Sequence, residues 1–145
     1  MPASDVLEQE LLDLIFLNLS FDNIGDATGI IKSTADGNFT VALSTGTLVD
    51  ASDQSTTECT YTGYGRVNVA RGAAQWTVTS GTVTNDNAIT FGACTVGSET
   101  ATDFSLGSDQ VANEMWIYGA LTASLAISPG ITPEFAAGDL DVSIT

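Results

Sequence analysis

Between Met115 and Ile127 apolar side chains keep to one set of alternate positions, Met115, Ile117, Leu121, Ala123, Leu125 and Ile127, while Trp116, Tyr118, Thr122 and Ser124 stand between them. A period of two belongs to a pleated strand, because successive side chains of a helix never return to one face at that spacing. The run predicts one long bent strand, with Gly119 marking a bulge. Shorter segments repeat the pattern. Phe39, Val41 and Leu43 alternate with Thr40, Ala42 and Ser44 as a half-buried strand. Strands are expected around Gly65–Ala70, with Val67 and Val69 inward, and around Gln75–Ser80, with Trp76 and Val78 inward. Others are expected around Ala88–Cys94 (Ile89, Phe91) and Thr102–Leu106 (Phe104, Leu106), and a last one carries Leu140, Val142 and Ile144. Turn formers separate them, at Ser80-Gly81, Thr84-Asn85-Asp86-Asn87 and Ser128-Pro129-Gly130. About eight antiparallel strands of this kind predict an all-β, jelly-roll-like sandwich and exclude α/β alternatives.

Before the strands the period is helical. Asp5 is a candidate cap with Glu8 three residues on, and Leu7, Leu11, Leu14 and Ile15 recur at helical spacing up to about Asn18. Val6, Leu12, Phe16 and Leu17 make this helix apolar on more than one face, so it either covers an open end of the sandwich or meets another subunit. The expected organisation is one domain over residues 1–145, with the helix in 1–20 and the β-sandwich in 38–145. The apolar stretch Leu11–Leu19 is preceded by acids and interrupted by Asp13, which fits neither a signal peptide nor a bilayer span. Synthesis in the cytoplasm is the corresponding expectation.

Hydrophobic residues make up 43% of the chain and charged ones only 14%, so its polarity rests on Thr, Ser, Asn and Gly, a strand vocabulary. Eighteen acidic residues stand against Lys32, Arg66 and Arg71, a net charge of −15, which makes nucleic acid and anionic membrane poor partners. The chain has no histidine, and with it go the commonest general base, the commonest zinc ligand and the usual serine and cysteine triads. Cys59 and Cys94 are read as free thiols. Carboxylates close in sequence (Asp50/Asp53, Glu99/Asp103, Glu134/Asp139) lie in no recognisable catalytic motif and are expected by chance among so many acids. Asp50, Asp53 and the Asn85–Asn87 loop offer hard oxygens without the spacing of a dedicated calcium site. The glycines near Arg66 and Arg71 form no phosphate-loop pattern. No catalytic, cofactor or metal residue is assigned, and the chain is expected not to be an enzyme.

One segment is unusual. Tyr61-Thr62-Gly63-Tyr64-Gly65-Arg66-Val67-Asn68-Val69-Ala70-Arg71 gathers two aromatics and two of the three cations. Tyr and Arg are enriched at the energetic centres of interfaces, although each Arg can equally neutralise a neighbouring acid. The candidate partner-contact residues are Tyr61, Tyr64, Arg66, Arg71 and Trp76, together with Leu7, Leu11 and Leu14 of the helix.

Tyr61–Arg71, Trp76, Ala88-Ile89-Thr90-Phe91-Gly92-Ala93-Cys94-Thr95, Ala101-Thr102-Asp103-Phe104-Ser105-Leu106-Gly107, Tyr118-Gly119-Ala120-Leu121-Thr122 and Ile131–Leu140 together resemble, in order and spacing, small virion proteins of tailed phages. These are often labelled tail-fibre-like, and the pattern is similar to that of jelly-roll cement proteins that decorate phage heads. The resemblance implies a structural protein on the exterior of the capsid that stabilises capsomer joints. Its implied partners are the major capsid protein and further copies of itself, commonly as dimers. The alternative is a tail-fibre or adhesin domain that binds a host surface glycan, with Trp76, Trp116, Tyr61 and Tyr64 as stacking faces.

Overall fold

The computed structural model of the chain describes residues 3–22 and 24–144. Among these the chain is β-rich, with nine strands and one short N-terminal helix, in agreement with the all-β class expected from the periodicity. Its residues cluster in two compact units: Asn38–Val69 with Ile89–Glu134, and the remainder, namely the residues up to Gly37, Ala70–Ala88 and those from Phe135 onward. The span 38–145 expected to form the sandwich is shared between them. Among the described residues no helix is long and apolar enough to cross a membrane.

The first of these units is built on a four-stranded sheet in the order β2-β1-β6-β7. Its strands are β1 (Asn38–Ser44), β2 (Val67–Ala70), β6 (Glu99–Ser108) and β7 (Met115–Ile127). β1 pairs antiparallel with β6 from Phe39↔Ser108 to Ser44↔Asp103. The half-buried alternation expected of β1 is not observed: Thr40, Ala42 and Ser44 are buried along with Phe39, Val41 and Leu43. The polar face is covered by the segment after β1. Leu48 N–H donates to Asp103 Oδ2 (3.2 Å), Gln54 Nε2 donates to the Thr40 carbonyl (2.8 Å), and the Ser44 and Thr57 hydroxyls bond each other (2.6 Å). The Ser/Thr-rich stretch from Ser52 to Thr62, whose composition predicts a surface loop, thus places Gln54, 2% exposed, over the strand.

β7 is the edge of this sheet; Met115, Ile117, Leu121 and Leu125 are half-buried and Ile127 is buried, as the alternation predicts, whereas Ala123 is exposed. Its bulges lie elsewhere than Gly119, which stays in register with Phe104 and would bring a Cβ within 3.2 Å of that ring. Register shifts instead between Leu106 and Gly107, opposite Trp116, and between Ala101 and Asp103, opposite residues 121–124. An extra residue in one strand turns the following side chain. Trp116 accordingly meets Phe39 edge-on (ring centroids 6.0 Å apart), while Tyr118 bonds Asp50.

Only β5 (Ile89–Thr90) of the strand expected at 88–94 is regular; it pairs with β8 (Glu134–Phe135), whose first residue belongs to this unit. Beyond it, Phe91 and Cys94 N–H groups donate to the Pro133 and Ile131 carbonyls. Here two backbones touch without side chains between them. A Cβ on Gly92 would stand 1.9 Å from the Gly63 carbonyl oxygen, and one on Gly63, at φ +107°, 2.1 Å from that of Ala93. Cys59 and Cys94 are buried free thiols.

In the other unit the helix α1 (Asp5–Leu12) starts one residue earlier than Asp5 capping would give: Ser4 is the cap, its hydroxyl accepting from Leu7 N–H. Asp13–Leu17 continue as a wider π-helical turn, and Asn18 ends it in the left-handed region (φ 53°). The inward stripe is Leu12 and Phe16, one helical step apart, rather than Leu7, Leu11, Leu14 and Ile15. Phe16 packs edge-on against Trp76 at 5.0 Å. Trp76 opens β3 (Trp76–Thr79), which pairs with β4 (Thr82–Asn85), and β4 pairs with β9 (Asp141–Ser143). Strand β4 is absent from the expectations because Thr84 and Asn85, read as part of a turn, are its second half, and only Thr82 and Val83 stand between that stretch and the Ser80-Gly81 turn. Ser80 (φ 52°) and Gly81 (φ 74°) make the tight hairpin link. Asn85, 1% exposed, holds the return of the chain by donating to the Ala136 carbonyl (2.9 Å) and accepting from Leu140 N–H (2.9 Å).

Candidate partner-contact surface

The segment Tyr61–Arg71 and Trp76, expected to present one contact face, is divided by the fold. Tyr61, Tyr64 and Arg66 belong to the unit holding β1, β6 and β7; Arg71 and Trp76 belong to the helix-bearing unit. Tyr61 is buried, and its hydroxyl donates to the Gly92 carbonyl (2.9 Å). Burial, with the nearby Cys59 and Cys94 sulfurs, pushes its phenol up to about 12. The Tyr64 ring stacks on Phe91 (9° between planes) and meets Tyr61 edge-on at 5.4 Å. Its hydroxyl accepts from Leu43 N–H and donates to Glu58, both at 3.0 Å, and burial raises its phenol well above the ordinary value.

Arg66 engages Glu58 with both edges of its fork, Nε to Oε1 at 2.7 Å and Nη2 to Oε2 at 2.8 Å. It also donates to Asn113 Oδ1 (2.8 Å) and Gln54 Oε1 (3.3 Å), and its bond to Glu58 raises its pKa further. Arg71 donates from Nε to the Ile15 carbonyl and from Nη2 to the Leu14 carbonyl, each at 2.6 Å. A cation at the carbonyl end of a helix satisfies acceptors that have no partner within it. Burial lowers the Arg71 pKa, with Asp36 opposing. Trp76, 1% exposed, donates its indole N–H to the Ala70 carbonyl (2.9 Å). Tyr61 and Trp76 are therefore interior side chains, and both arginines are engaged within their own units. Neither Tyr61 nor Trp76 offers a glycan a stacking face; the corrected set of exposed aromatics is Trp116 (50%) and Tyr118 (36%).

The helix residues fare differently. Leu7 is exposed, and Leu11 and Leu14 are half-buried. Val6 on the same helix is 72% exposed, and the unit also exposes apolar groups absent from the expected contact residues, Leu19, Ile24, Ile30 and Ile31 (69%). The signal available for the last two was an isolated Ile-Ile pair beside Lys32 in a segment of turn formers.

The carboxylate pairs weighed for catalysis are held by local hydrogen bonds. Asp53 accepts from the Ser55 hydroxyl and amide and from Thr56, which keeps it below the usual carboxylate range. Glu99 accepts from the Thr60 amide and hydroxyl, Glu134 from Thr90, and Asp139 from Ala136 N–H. Asp50 accepts from Tyr118, whose pKa rises in consequence. Among the described residues no group of three or more metal-ligating acids or cysteines converges.

The family model of podophage GP4 fiber I protein gp80 matches residues 2–143. No curated protein matches the chain.

Proposed function

Since the chain belongs to the podophage GP4 fiber I protein gp80 family, we propose that it is a non-catalytic structural subunit of a phage tail fibre. The general statement, a bacteriophage structural virion protein, follows from membership itself. The sequence resemblance pointed to phage virion proteins as well, but the finer expectation of a cement protein on the head gains no support from the match, whereas the fibre alternative does. The single observation that carries the proposal is a family match over nearly the whole chain. The surface agrees with a position outside the DNA-filled head, because a net charge of −15 is repelled by packaged phosphates. The carboxylates of Asp53, Glu99, Glu134 and Asp139 accept hydrogen bonds from neighbouring backbone or hydroxyl groups. Host contact, in this reading, falls to the exposed aromatics of β7, Trp116 and Tyr118, and not to the buried Tyr61 and Trp76.

A reconstruction of the intact phage particle tests this. Density for this chain on the tail, with a few tens of copies per virion by quantitative proteomics, is the expected result. Density over the head at hundreds of copies, with the major capsid protein beneath it, would return the cement reading.

A further inference from the structure

We infer that copies of this chain associate head to tail, the Ile30-Ile31-Lys32 arm of one seating in a groove beside helix α1 of the next. The groove, about 430 Å³, is lined by Asp5, Val6, Gln9, Glu10 and Ser80. Its two sides are fixed to each other: Gln9 Oε1 accepts from Gly81 N–H in the β3–β4 turn (3.3 Å), and Gln9 Nε2 donates to Asp13 Oδ1 (3.0 Å). The site is thus a rigid trough with an apolar wall, Val6 at 72% exposure, between two carboxylates, Asp5 and Glu10. Neither carboxylate has a salt-bridge partner among the described residues.

Such a trough suits an apolar side chain next to a cation. The chain has three cations; Arg66 and Arg71 are engaged inside their units, and Lys32 is exposed with no carboxylate partner among the described residues. Its neighbours are Ile31, 69% exposed, and Ile30, 45% exposed. The arm is held in shape for docking. Phe21 and Ile30 exchange two backbone hydrogen bonds (3.0 and 2.9 Å), Lys32 N–H donates to Ser20 Oγ, and Asn18 Oδ1 accepts from Ser33 N–H (2.9 Å). In a chain of charge −15 copies repel almost everywhere, so a free cation beside apolar side chains favours a trough that offers unpaired acids and an apolar wall. Arm and groove are different surfaces, so the contact is heterologous and propagates into a ring or filament instead of closing as a twofold dimer. The inference concerns the chain's own association and does not depend on where in the virion it stands.

A charge swap tests it on the full chain by sedimentation velocity across micromolar to millimolar concentrations. The wild-type chain is expected to form species that grow with concentration, and Lys32→Glu or Glu10→Lys alone is expected to weaken association by at least about tenfold, the equivalent of about 1.4 kcal/mol. Mixing the two variants should restore growth as an alternating assembly, because each arm then meets a groove of opposite charge on the other variant, and the doubly swapped chain should assemble again. Both positions lie away from the core, so far-ultraviolet circular dichroism should be unchanged. A wild-type chain that stays monomeric at every concentration, or singly swapped folded variants that assemble like the wild type, would overturn the inference. So would a mixture that forms no complex.

Discussion

Arg66 and Arg71 stand five residues apart in the sequence, and each anchors a different unit by a different physical means. Arg66 answers charge with charge: its fork closes on Glu58 and ties the β1–β2 connection, through Glu58 and Gln54, to the β6–β7 connection at Asn113. Arg71 answers dipoles, filling the carbonyl end of the helical segment at Leu14 and Ile15. The titratable residues divide in the same way. Both cysteines and all three tyrosines lie in the unit of Arg66, and burial pushes the Cys59 thiol up to about 12, with Glu99 adding to it. The unit of Arg71 relies on apolar contact between Phe16 and Trp76 and on the neutral hub at Asn85. Each unit also has its own indole, Trp76 buried and Trp116 half-exposed, so fluorescence of Trp116→Phe and Trp76→Phe chains follows them separately. The lesson is that a scarce cation in an acidic chain is placed where its loss would unfasten the most backbone, whether the fastening is ionic or dipolar.

Removing the apolar anchor should give the largest effect. Trp76→Ala is expected to cost about 3–5 kcal/mol in urea unfolding, against about 1 kcal/mol for Trp116→Ala, which gives up mainly an edge contact with Phe39. Equal losses would mean that Trp76 is not the centre of its unit.

Alkali should separate the units next. The folded Cys59 thiol and Tyr61 phenol keep their protons at pH values where the unfolded chain releases them, so their contribution is complete below pH 9.0, the ordinary thiol value, and drains away as pH rises toward about 12. For Cys59 alone the loss reaches roughly 4 kcal/mol at the top of that range. Trp116 fluorescence should therefore respond to alkali before Trp76 fluorescence, and Cys59→Ala should flatten the profile. Coincident transitions that Cys59→Ala leaves unmoved would break the comparison.

The arginines give smaller differences. Arg66→Met leaves Glu58 and two polar partners unanswered and should lower stability by about 1.5–3 kcal/mol, partly regained when Glu58→Gln is added. Arg71→Met exposes helix-end carbonyls that water can reach and should cost about 1–2 kcal/mol, with no rescue by any single acid substitution. Chemical-denaturation midpoints of the four chains decide it; rescue of Arg71→Met by Asp36→Asn would show that its role is ionic after all.

The strands were legible wherever at least two apolar residues alternated, in β1, β6 and β7 and also in the short β2, β3 and β9, because an apolar face leaves that imprint. Strand β4 was not: it has a single apolar residue, Val83, and its pairing is set by the Ser80-Gly81 link and by β9. The extra burial of Thr40 and Ser44 was hidden because the cover is polar, a Gln and several hydroxyls, and periodicity reads only apolar surface. For the surface, composition correctly drew the eye to Arg66 and Arg71 but could not tell an anchor for a partner from an anchor for the chain itself. That distinction depends on which acceptors the fold brings within 3 Å, such as Glu58 eight residues earlier or carbonyls 56 and 57 residues away.

The crossing at Gly63 and Gly92 bears on how such chains can diverge. Each glycine leaves room for the other's segment, so a methyl group at either place would push whole backbones apart. Surface acids can drift freely in a lineage, since one carboxylate among eighteen changes little. These two positions cannot drift singly, and no replacement at one makes room for a replacement at the other. Deep mutational scanning should show them as a joint blank against a tolerant background, a signature by which distant homologues with otherwise unrecognisable sequences could be aligned.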